Sequence, residues 1–600
     1  MGDAGTMSVA AQDTLTGAGV QTITGAKTFN DQKLLMRNPA GTFSLTQRSP
    51  AITLDRSILS SLVPYHWDVL VWKDTPNSKV LAFTKDGTII SDRTAGSAGD
   101  DLCIFDAVQA TPAQGTLLIM PGSYTVGTNA LPIIPTAQNA NSEILFSNDM
   151  TVFAYGATLT ANAAVPHLAT HLLKPAIGKS VTIYGMTLDI NKSYAVGFGT
   201  NVNNDTARLA FIDGKIKNVY SYGIITGNHN DVVNDNAELY CENITVDAGD
   251  GTAISNNECI AARCNGRVTI KNAVLLGNKA MHLSSRYITL DNVWCDGSAW
   301  SGISEMSPVN GEFIDCRNIY MKDLGLSLRP FLSMDGQTPF TNCRQATVDG
   351  YCGVESSGLY HNIQVSGYDG LQIENCTISN FNISRAPVAM QPHAQATTGT
   401  VKNLTIENGY INGVTSSHRI LSSYNVSVEN LTIRNVKIGS YSTATEAPIW
   451  LQTSISSKNA DVTIGKCTIE NIIPESTQYI VRAGDNGSGV AKAVSITFER
   501  PLGNNSQQFI TSGAATLAVK FRENSGKAIF SGNASTKVFN IPHILSAAPS
   551  ANSINVTVGS ADAAGDFVIT SDATNIIVTY PVAPPTGTNN IILYWRARAG

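Results

Sequence analysis

Charge is what this sequence has least of. Asp, Glu, Lys and Arg make up 14% of its 600 residues and sum to a formal −6, against roughly 25% charged residues in an ordinary globular protein. No basic tract occurs, so the electrostatic basis for gripping a nucleic acid is missing. No run of 18 apolar residues occurs either, and no helical membrane span is expected. The opening MGDAGTMSVAAQD lacks a cationic stretch and an apolar core, so no secretory signal is expected. Helix-length amphipathic patterns are nearly absent, which excludes an α-solenoid. The ten cysteines are scattered, with no CxxC pair and no Cys/His cluster at zinc spacing. They read as free thiols packed as small hydrophobes in a chain that folds in a reducing compartment, and no metal site is expected. There is no P-loop, no dinucleotide-binding glycine fingerprint ahead of a helix, no HExxH and no GxSxG elbow with partners. No cofactor is expected.

What the chain does have is glycine, 50 of them, with much Asn, Ser and Thr, and a degenerate ten-residue phrase that returns about every 28 residues. It starts at Val181 (VTIYGMTLDI), Ala210, Leu239, Val268, Ile288, Glu312, Ala346, Leu371 (LQIENCTISN), Leu404 (LTIENGYING), Leu431 and Val462. MTVFAYGATL at Met150 reads as a further copy upstream. The third place is large and apolar, as in Ile183, Ile212, Ile270, Ile373 and Ile406, and the fifth is Gly or Asn, as in Gly185, Gly214, Asn272, Asn375 and Asn435. Gly and Asn tolerate positive φ, so each copy predicts a short strand, a sharp corner and a second strand. Stacked corner Asn residues can hydrogen-bond along the axis. A further strand recurs 13 to 16 residues on, in GIITG at Gly223, AISNN at Ala253, AMHLS at Ala280 and GISEM at Gly302. Three short strands per period, repeated this often, predict a parallel β-helix, a three-sided solenoid with an apolar interior.

The ends of the chain read differently. In GDDLCIFDAVQA, Asp100 or Asp101 can cap a short helix with Leu102, Phe105 and Val108 on one face. With Pro121, Gly122 and Tyr124 in the turn that follows, this segment resembles the start of pectate-lyase-like right-handed β-helices. TLTGAGVQTITGAKTFND near the amino terminus resembles the attachment pieces of bacteriophage tail fibres and tailspikes. The stretch from Lys527 to the end, with NIPHILSAAPS, DFVITSDATNIIVTY and APPTGTNNIILYWRA, resembles the small β-sandwich that closes phage depolymerase tailspikes, and His543 within it reads as structural. The resemblance divides the chain into a tail-attachment segment (1–60), a linker with capping helix and the start of the β-helix (61–130), the catalytic and receptor-binding β-helix (131–520) and a C-terminal β-sandwich (521–600) that caps a trimer. It implies an all-β virion protein of the phage tail, folded in the host cytoplasm and acting at the bacterial surface. Its implied partners are the other copies of a homotrimer, other tail or baseplate proteins through the N-terminus, and a bacterial capsular polysaccharide or lipopolysaccharide O-antigen used for host adhesion.

Hydrolysis of a glycosidic bond needs two carboxylates, about 5–5.5 Å apart for retention or roughly 6.5–9.5 Å for inversion. Coils stack at about 4.8 Å, so carboxylates one or two coils apart on one flank fall in range. Aligning the last strands of successive coils brings forward Glu258, His282, Glu305, Arg329, Asp335 and Tyr360. Glu305 is assigned as general acid and Asp335 as nucleophile or base, with Glu258 and Glu355 as substitutes. Arg329, His282, Trp294, Trp300 and Tyr360 are assigned to substrate binding. Strict alternation after Ile303 could instead point Glu305 inward, and any one acidic turn residue can be an ordinary solvated group. The expected activity is a depolymerase of the glycoside hydrolase type. A polysaccharide lyase on the same fold, using His282, Arg329 and Tyr360, and a tail fibre that only binds its receptor are the alternatives.

Overall fold

The computed structural model describes residues 67–128, 143–162, 167–200, 205–227, 236–248, 258–277, 279–297, 302–322, 324–328, 342–354, 363–367, 372–383, 388–392, 397–411, 420–438, 447, 449–455, 458–470, 473–474, 479–484, 489–500 and 509–600. The expected tail-attachment segment lies outside the described residues. Among them, no helix is long and apolar enough to cross a membrane.

The described chain opens with an antiparallel meander of β1 (Val69–Asp74), β2 (Lys79–Thr84) and β3 (Ile89–Thr94). Helix α1 (Ser97–Ala110) follows, and its Cys103, Ile104, Phe105, Ala107 and Val108 join the main core. The expected cap needs correcting. The helix begins after Gly96, and Asp100 sits inside its first turn. There its carboxylate accepts the Gly96 N–H at 3.1 Å, the Lys73 ammonium at 2.7 Å and the Thr125 N–H at 3.0 Å. Asp101 accepts both the N–H and the hydroxyl of Thr128 at 2.8 Å, and burial pushes its carboxyl pKa up despite those bonds. The acidic pair therefore ties the helix to the strands beneath it. Leu102 is only half-buried, while Cys103 and Ile104 point inward.

The solenoid then winds. Its first coil is β4 (Gly115–Ile119), β5 (Gly122–Val126) and β6 (Ile144–Phe146), and its second is β7 (Met150–Phe153), β8 (Ala157–Ala161) and β9 (His167–Pro175). The third is β10 (Val181–Tyr184), β11 (Thr187–Asp189) and β12 (Tyr194–Gly199), and the fourth is β13 (Arg208–Ile212), β14 (Lys215–Lys217) and β15 (Tyr222–Gly227). Each strand pairs in parallel with its counterparts on neighbouring coils. The Met150 phrase is thus a true coil. Beyond this point one strand runs around the corner between the first two sides. β16 (Glu238–Asp247) and β18 (Arg267–Leu276) do so, with β17 (Glu258–Arg263) as the third side between them. β19 (Lys279–Asp296) and β20 (Gly302–Lys322) each begin on the third side and continue over the next two, and β21 (Leu324–Leu328) closes that turn. The same winding continues to the strand Thr516–Phe521. This is the expected parallel β-helix.

The corners are built as the residue types require. Left-handed φ values fall on Gly185, Asp213, Asn243, Asn272, Asn292, Asn318, Gly350, Asn380, Asn408 and Asn435. The register shows where the repeat reading slipped. Val181 pairs with Leu209, Ile288 with Ile314, Ala346 with Cys376 and Leu431 with Cys467. The true starts are therefore Leu209, Ile314, Cys376 and Cys467, not Ala210, Glu312, Leu371 and Val462. Phe211 fills the core where Ile212 was expected, and Asp213 turns the corner where Gly214 was expected. LQIEN and CTISN are both apolar strand phrases ending in Asn, but only Asn380 of the second adopts the corner conformation. Asn375 instead lies in the preceding strand, where it accepts from Asn403 at 2.7 Å, as Asn403 does from Asn430.

The C-terminal segment folds as two three-stranded antiparallel sheets. Glu523–Gly532, Gly587–Arg598 and Ile554–Val558 form one, and Val538–Pro542, Asn575–Thr579 and Val568–Ser571 the other. Phe539, Ile541, Ile576, Val578, Ile591, Leu593 and Trp595 form a second core between them. It is the expected β-sandwich. His543 is buried in it, with Nδ1 accepting the Leu545 N–H at 2.9 Å and Nε2 donating to the Asp572 carbonyl at 3.1 Å. Both ring nitrogens are used in holding the turn. Phe521 stacks on Phe498 of the last coils and bridges to Leu545, joining the sandwich to the shaft.

Candidate functional site

The third side of the solenoid does not alternate regularly, and the irregularity makes the site. In β17, Cys259 and Ile260 both enter the main core, and in β19 Ala280 and Met281 do the same. Two consecutive inward residues break the alternation on both strands without shifting their register. They leave Glu258 and Lys279 on the outer face before the break, and Ala261 and His282 after it. Glu258 and Lys279 pair in register, as do Ala261 and His282. The preceding coil shows the same pattern. Ile224 belongs to the main core, while Ile225 joins Ala261 and Val196 in a small outer apolar cluster beside Tyr222.

Glu258 is the hub of this face. Its Oε1 lies 3.3 Å from His282 Nδ1 and 3.4 Å from Lys279 Nζ, and its Oε2 lies 3.7 Å from an Arg263 guanidinium nitrogen. Arg263 lies over the Tyr222 ring at 5.4 Å and donates weakly to the Tyr222 hydroxyl at 3.5 Å. Glu258 is 5% exposed, Arg263 7% and His282 8%. Neither Glu258 Oε2 nor Arg263 Nε has a hydrogen-bond partner. Burial pushes the Glu258 carboxyl up, but the His282 hydrogen bond and the Lys279 and Arg263 charges outweigh it and hold the pKa below the usual carboxylate range. Burial pushes His282 the other way, below the usual imidazole value, and Lys279 adds to that, against the opposing pull of Glu258. Near neutral pH the arrangement is an ionised carboxylate, a neutral imidazole and two cations. It can accept a proton or hold an anion, and Glu258 cannot serve as a general acid.

Of the expected site residues, the structure brings Glu258 and His282 together. Glu305 stands in register with His282 on the next coil, followed by Ser327. Asp335, Glu355, Arg329, Trp300 and Tyr360 lie outside the described residues. Trp294 stands apart from the Glu258 cluster. It lies two residues past the Asn292 corner, on the second side of the solenoid, where strand alternation turns it outward. There it is 47% exposed and lies 4.0 Å from the Tyr320 ring on the next coil. Tyr351 is buried in the core.

Sequence reasoning missed Arg263, Lys279 and Tyr222. Each lies outward in the register that Glu258 or Ala261 sets, but strict alternation along the sequence does not give that register. It also missed a second polar group on the same side. Glu143 Oε1 accepts the His171 backbone N–H at 3.0 Å, and Glu143 Oε2 lies 3.4 Å from Lys174 Nζ, with all three residues buried. His171 stands in the row that continues through Val196 and Tyr222 to Glu258. Neither of its ring nitrogens makes a hydrogen bond, and burial holds its pKa below the usual value.

No protein-family model matches the sequence, and no curated protein matches it. Solved structures do match the fold. A mutant tailspike protein of E. coli bacteriophage HK620 superposes with a TM-score of 0.50 at 9% identity, over 91% of this chain and 100% of that one. The tailspike of the same phage in complex with a pentasaccharide is also similar, with a TM-score of 0.47 at 9% identity, over 85% and 92% of the two chains. The fold of this chain is that of the phage tailspikes.

Proposed function

We propose that this chain is a phage tailspike depolymerase that binds a bacterial surface polysaccharide, capsular or O-antigen, and cuts it by glycosidic hydrolysis. The observation that carries the reading is Glu258. It is a buried, ionised carboxylate on the outer face of a stiff solenoid, with one oxygen free of hydrogen bonds. Such an oxygen is suited to take a proton from an attacking water or to attack the sugar itself. Glu305, in register with His282 on the following coil, is the proposed general acid. His282, in the same row as Glu305, reaches Glu258 through Nδ1 and orients it. Glu258 thereby takes the base or nucleophile role for which Asp335 was first assigned, and Asp335 and Glu355 remain proposed carboxylates of the same flank. Arg263 and Lys279 hold sugar oxygens, with Arg329, Trp300 and Tyr360 as further proposed contacts. Trp294, stacked on Tyr320, is proposed as a sugar platform around the edge from the cluster.

The reading includes assembly as a homotrimer, attachment to the tail through residues 1–60, and adhesion of the virion to its host through the glycan. Its test is cleavage of purified capsules and O-antigens, followed by reducing-end release and mass spectrometry of the products. Glu258→Gln and Glu305→Gln should each abolish release while the variants stay assembled. Full activity in both would sink the assignment.

A lyase is the second reading, and His282 favours it. A neutral imidazole beside Arg263 and Lys279 is the set needed to remove a proton next to a uronate carboxylate. Products absorbing as unsaturated uronates would select it over hydrolysis. Binding with no release of ends would select a fibre that adheres without cutting.

A further inference from the structure

The outer row that holds His282 continues far beyond the site. It runs from His282 through Glu305, Ser327, Gln364, Ala389 and Ser422 to Trp450 and Arg482, each paired with the next in register. At about 4.8 Å per step, Trp450 stands about 29 Å along the axis from His282. Trp450, Arg482 and Gln452 lie outside the main core. Leu451 and Ala483 enter the main core, so Trp450 and Arg482 face outward. Gln452 and Gly484, paired one position beyond Leu451 and Ala483, do likewise.

The group is built for contact. The Arg482 guanidinium lies 4.8 Å over the Trp450 ring, and its Nε donates to Ser512 Oγ at 3.5 Å. A side chain at Gly484 would meet Ser512 Oγ at 2.7 Å and Trp450 Nε1 at 3.3 Å, so glycine leaves the indole its place. Trp450 and Arg482 are half-buried. Beside them, Gln452 is 1% exposed and its Oε1 accepts no hydrogen bond, and Ser422 Oγ, fully buried in the same row, makes none either. A planar cation fixed on an aromatic face presents paired N–H donors to a carboxylate. An unfilled amide oxygen next to it calls for a hydroxyl donor. Among the units of a polysaccharide, the one that supplies a carboxylate and hydroxyl groups on neighbouring atoms is an acidic sugar.

We propose that Trp450, Arg482 and Gln452 form a second glycan contact, remote from the Glu258 cluster, that takes an acidic sugar unit of the polysaccharide. It rests on the reading of the chain as a polysaccharide-binding tailspike. It acts by grip and makes no contact with the bond that is cut.

The test uses the full chain on an array of purified bacterial capsules and O-antigens, acidic and neutral, with carboxyl-reduced samples of every acidic one. The wild type should bind acidic glycans and lose at least tenfold in affinity on carboxyl reduction. Arg482→Ala should show the same loss on the unreduced glycan, Arg482→Lys should recover part of it, and Trp450→Phe should fall between. Circular dichroism and thermal unfolding establish that each variant is folded. Unchanged binding by Arg482→Ala, or binding by the wild type to neutral glycans alone, overturns the proposal. The two readings fail separately. Cleavage that is lost in Glu258→Gln, with full binding by Arg482→Ala, leaves the enzyme reading standing and removes this one. Arg482-dependent binding without cleavage by any form does the reverse. A wild type that binds nothing on the array overturns both.

Discussion

Asn435 Nδ2 donates to Asn408 Oδ1 at 3.1 Å across one coil step, and both residues turn their corners at a φ of 53°. Asn292 and Asn272 repeat the bond at 2.9 Å, and Asn243 makes it to Asp213 at the same distance. The corner residue thus does two things, tolerating left-handed backbone and tying one coil to the next. Asn435→Gly removes only the second and should cost about 0.5–1.5 kcal/mol. Asn435→Val removes both and adds about 1–2 kcal/mol of backbone strain. Urea unfolding should rank wild type above the glycine variant and the glycine variant above valine.

Glu258 is held ionised by neighbours that can be removed singly. The charged and titratable groups facing it are His282, Lys279 and Arg263. Taking away a cation removes a term that lowers its pKa, so Arg263→Ala should move the acid limb of the pH–activity profile upward. Arg263→Lys should move it less, because the charge stays while the stack on Tyr222 is lost. Glu258→Gln should lose about 10²–10⁴-fold in kcat, the usual contribution of a positioned acid or base. A profile unmoved in Arg263→Ala would mean that the guanidinium does not act on Glu258.

The solenoid was legible because its signal is physical and repeated. Apolar residues must face in, and a corner must be Gly, Asn or Asp, so the strand-and-corner phrase survives where nothing else does. Its frame was not legible at Leu371, because Asn375 inside a strand and Asn380, which turns the corner five residues later, look alike in sequence. The site was half legible. Glu258 and His282 could be found by aligning third-side strands. Arg263 and Lys279 could not be weighed without the consecutive inward pairs Cys259–Ile260 and Ala280–Met281, which reset what faces out. Strict alternation would have turned Glu258 inward with Ile260. Which side displays Trp294 was not legible, because an exposed aromatic carries no mark of the sheet it stands on.

The cysteines offer a simple check of the core. Nine of the ten are buried and Cys352 is half-buried. Burial pushes the Cys103 and Cys376 thiols up to about 12, and thiolate is the reactive form. A thiol reagent at neutral pH should therefore label at most Cys352 in the folded protein and all ten after denaturation. Rapid labelling of several thiols without denaturant would show that the coils open or that the stack differs.

The two outer-face histidines set a pH dependence whose sign can be worked out. His171 and His282 both have folded pKa values below the ordinary 6.5, each chiefly through burial. Below 6.5 the unfolded chain takes up protons that the folded chain refuses, so protonation favours unfolding. Their contribution is fully present above 6.5 and is lost as pH falls from there towards the folded values. Glu258 runs the same way at lower pH. Its folded pKa lies below the ordinary 4.5, so its contribution is present above that value and lost as pH falls through the folded one. Stability should therefore begin to drop below about pH 6.5 and drop again below about pH 4.5. His171→Gln should flatten the first step without touching the second, whereas His282→Gln should flatten the first and shrink the second, because it also removes the hydrogen bond that helps hold the Glu258 pKa down. Denaturant midpoints across about pH 2–8 measure both. A midpoint that rises as pH falls from 7 to 5.5 would show that these imidazoles are charged in the folded state.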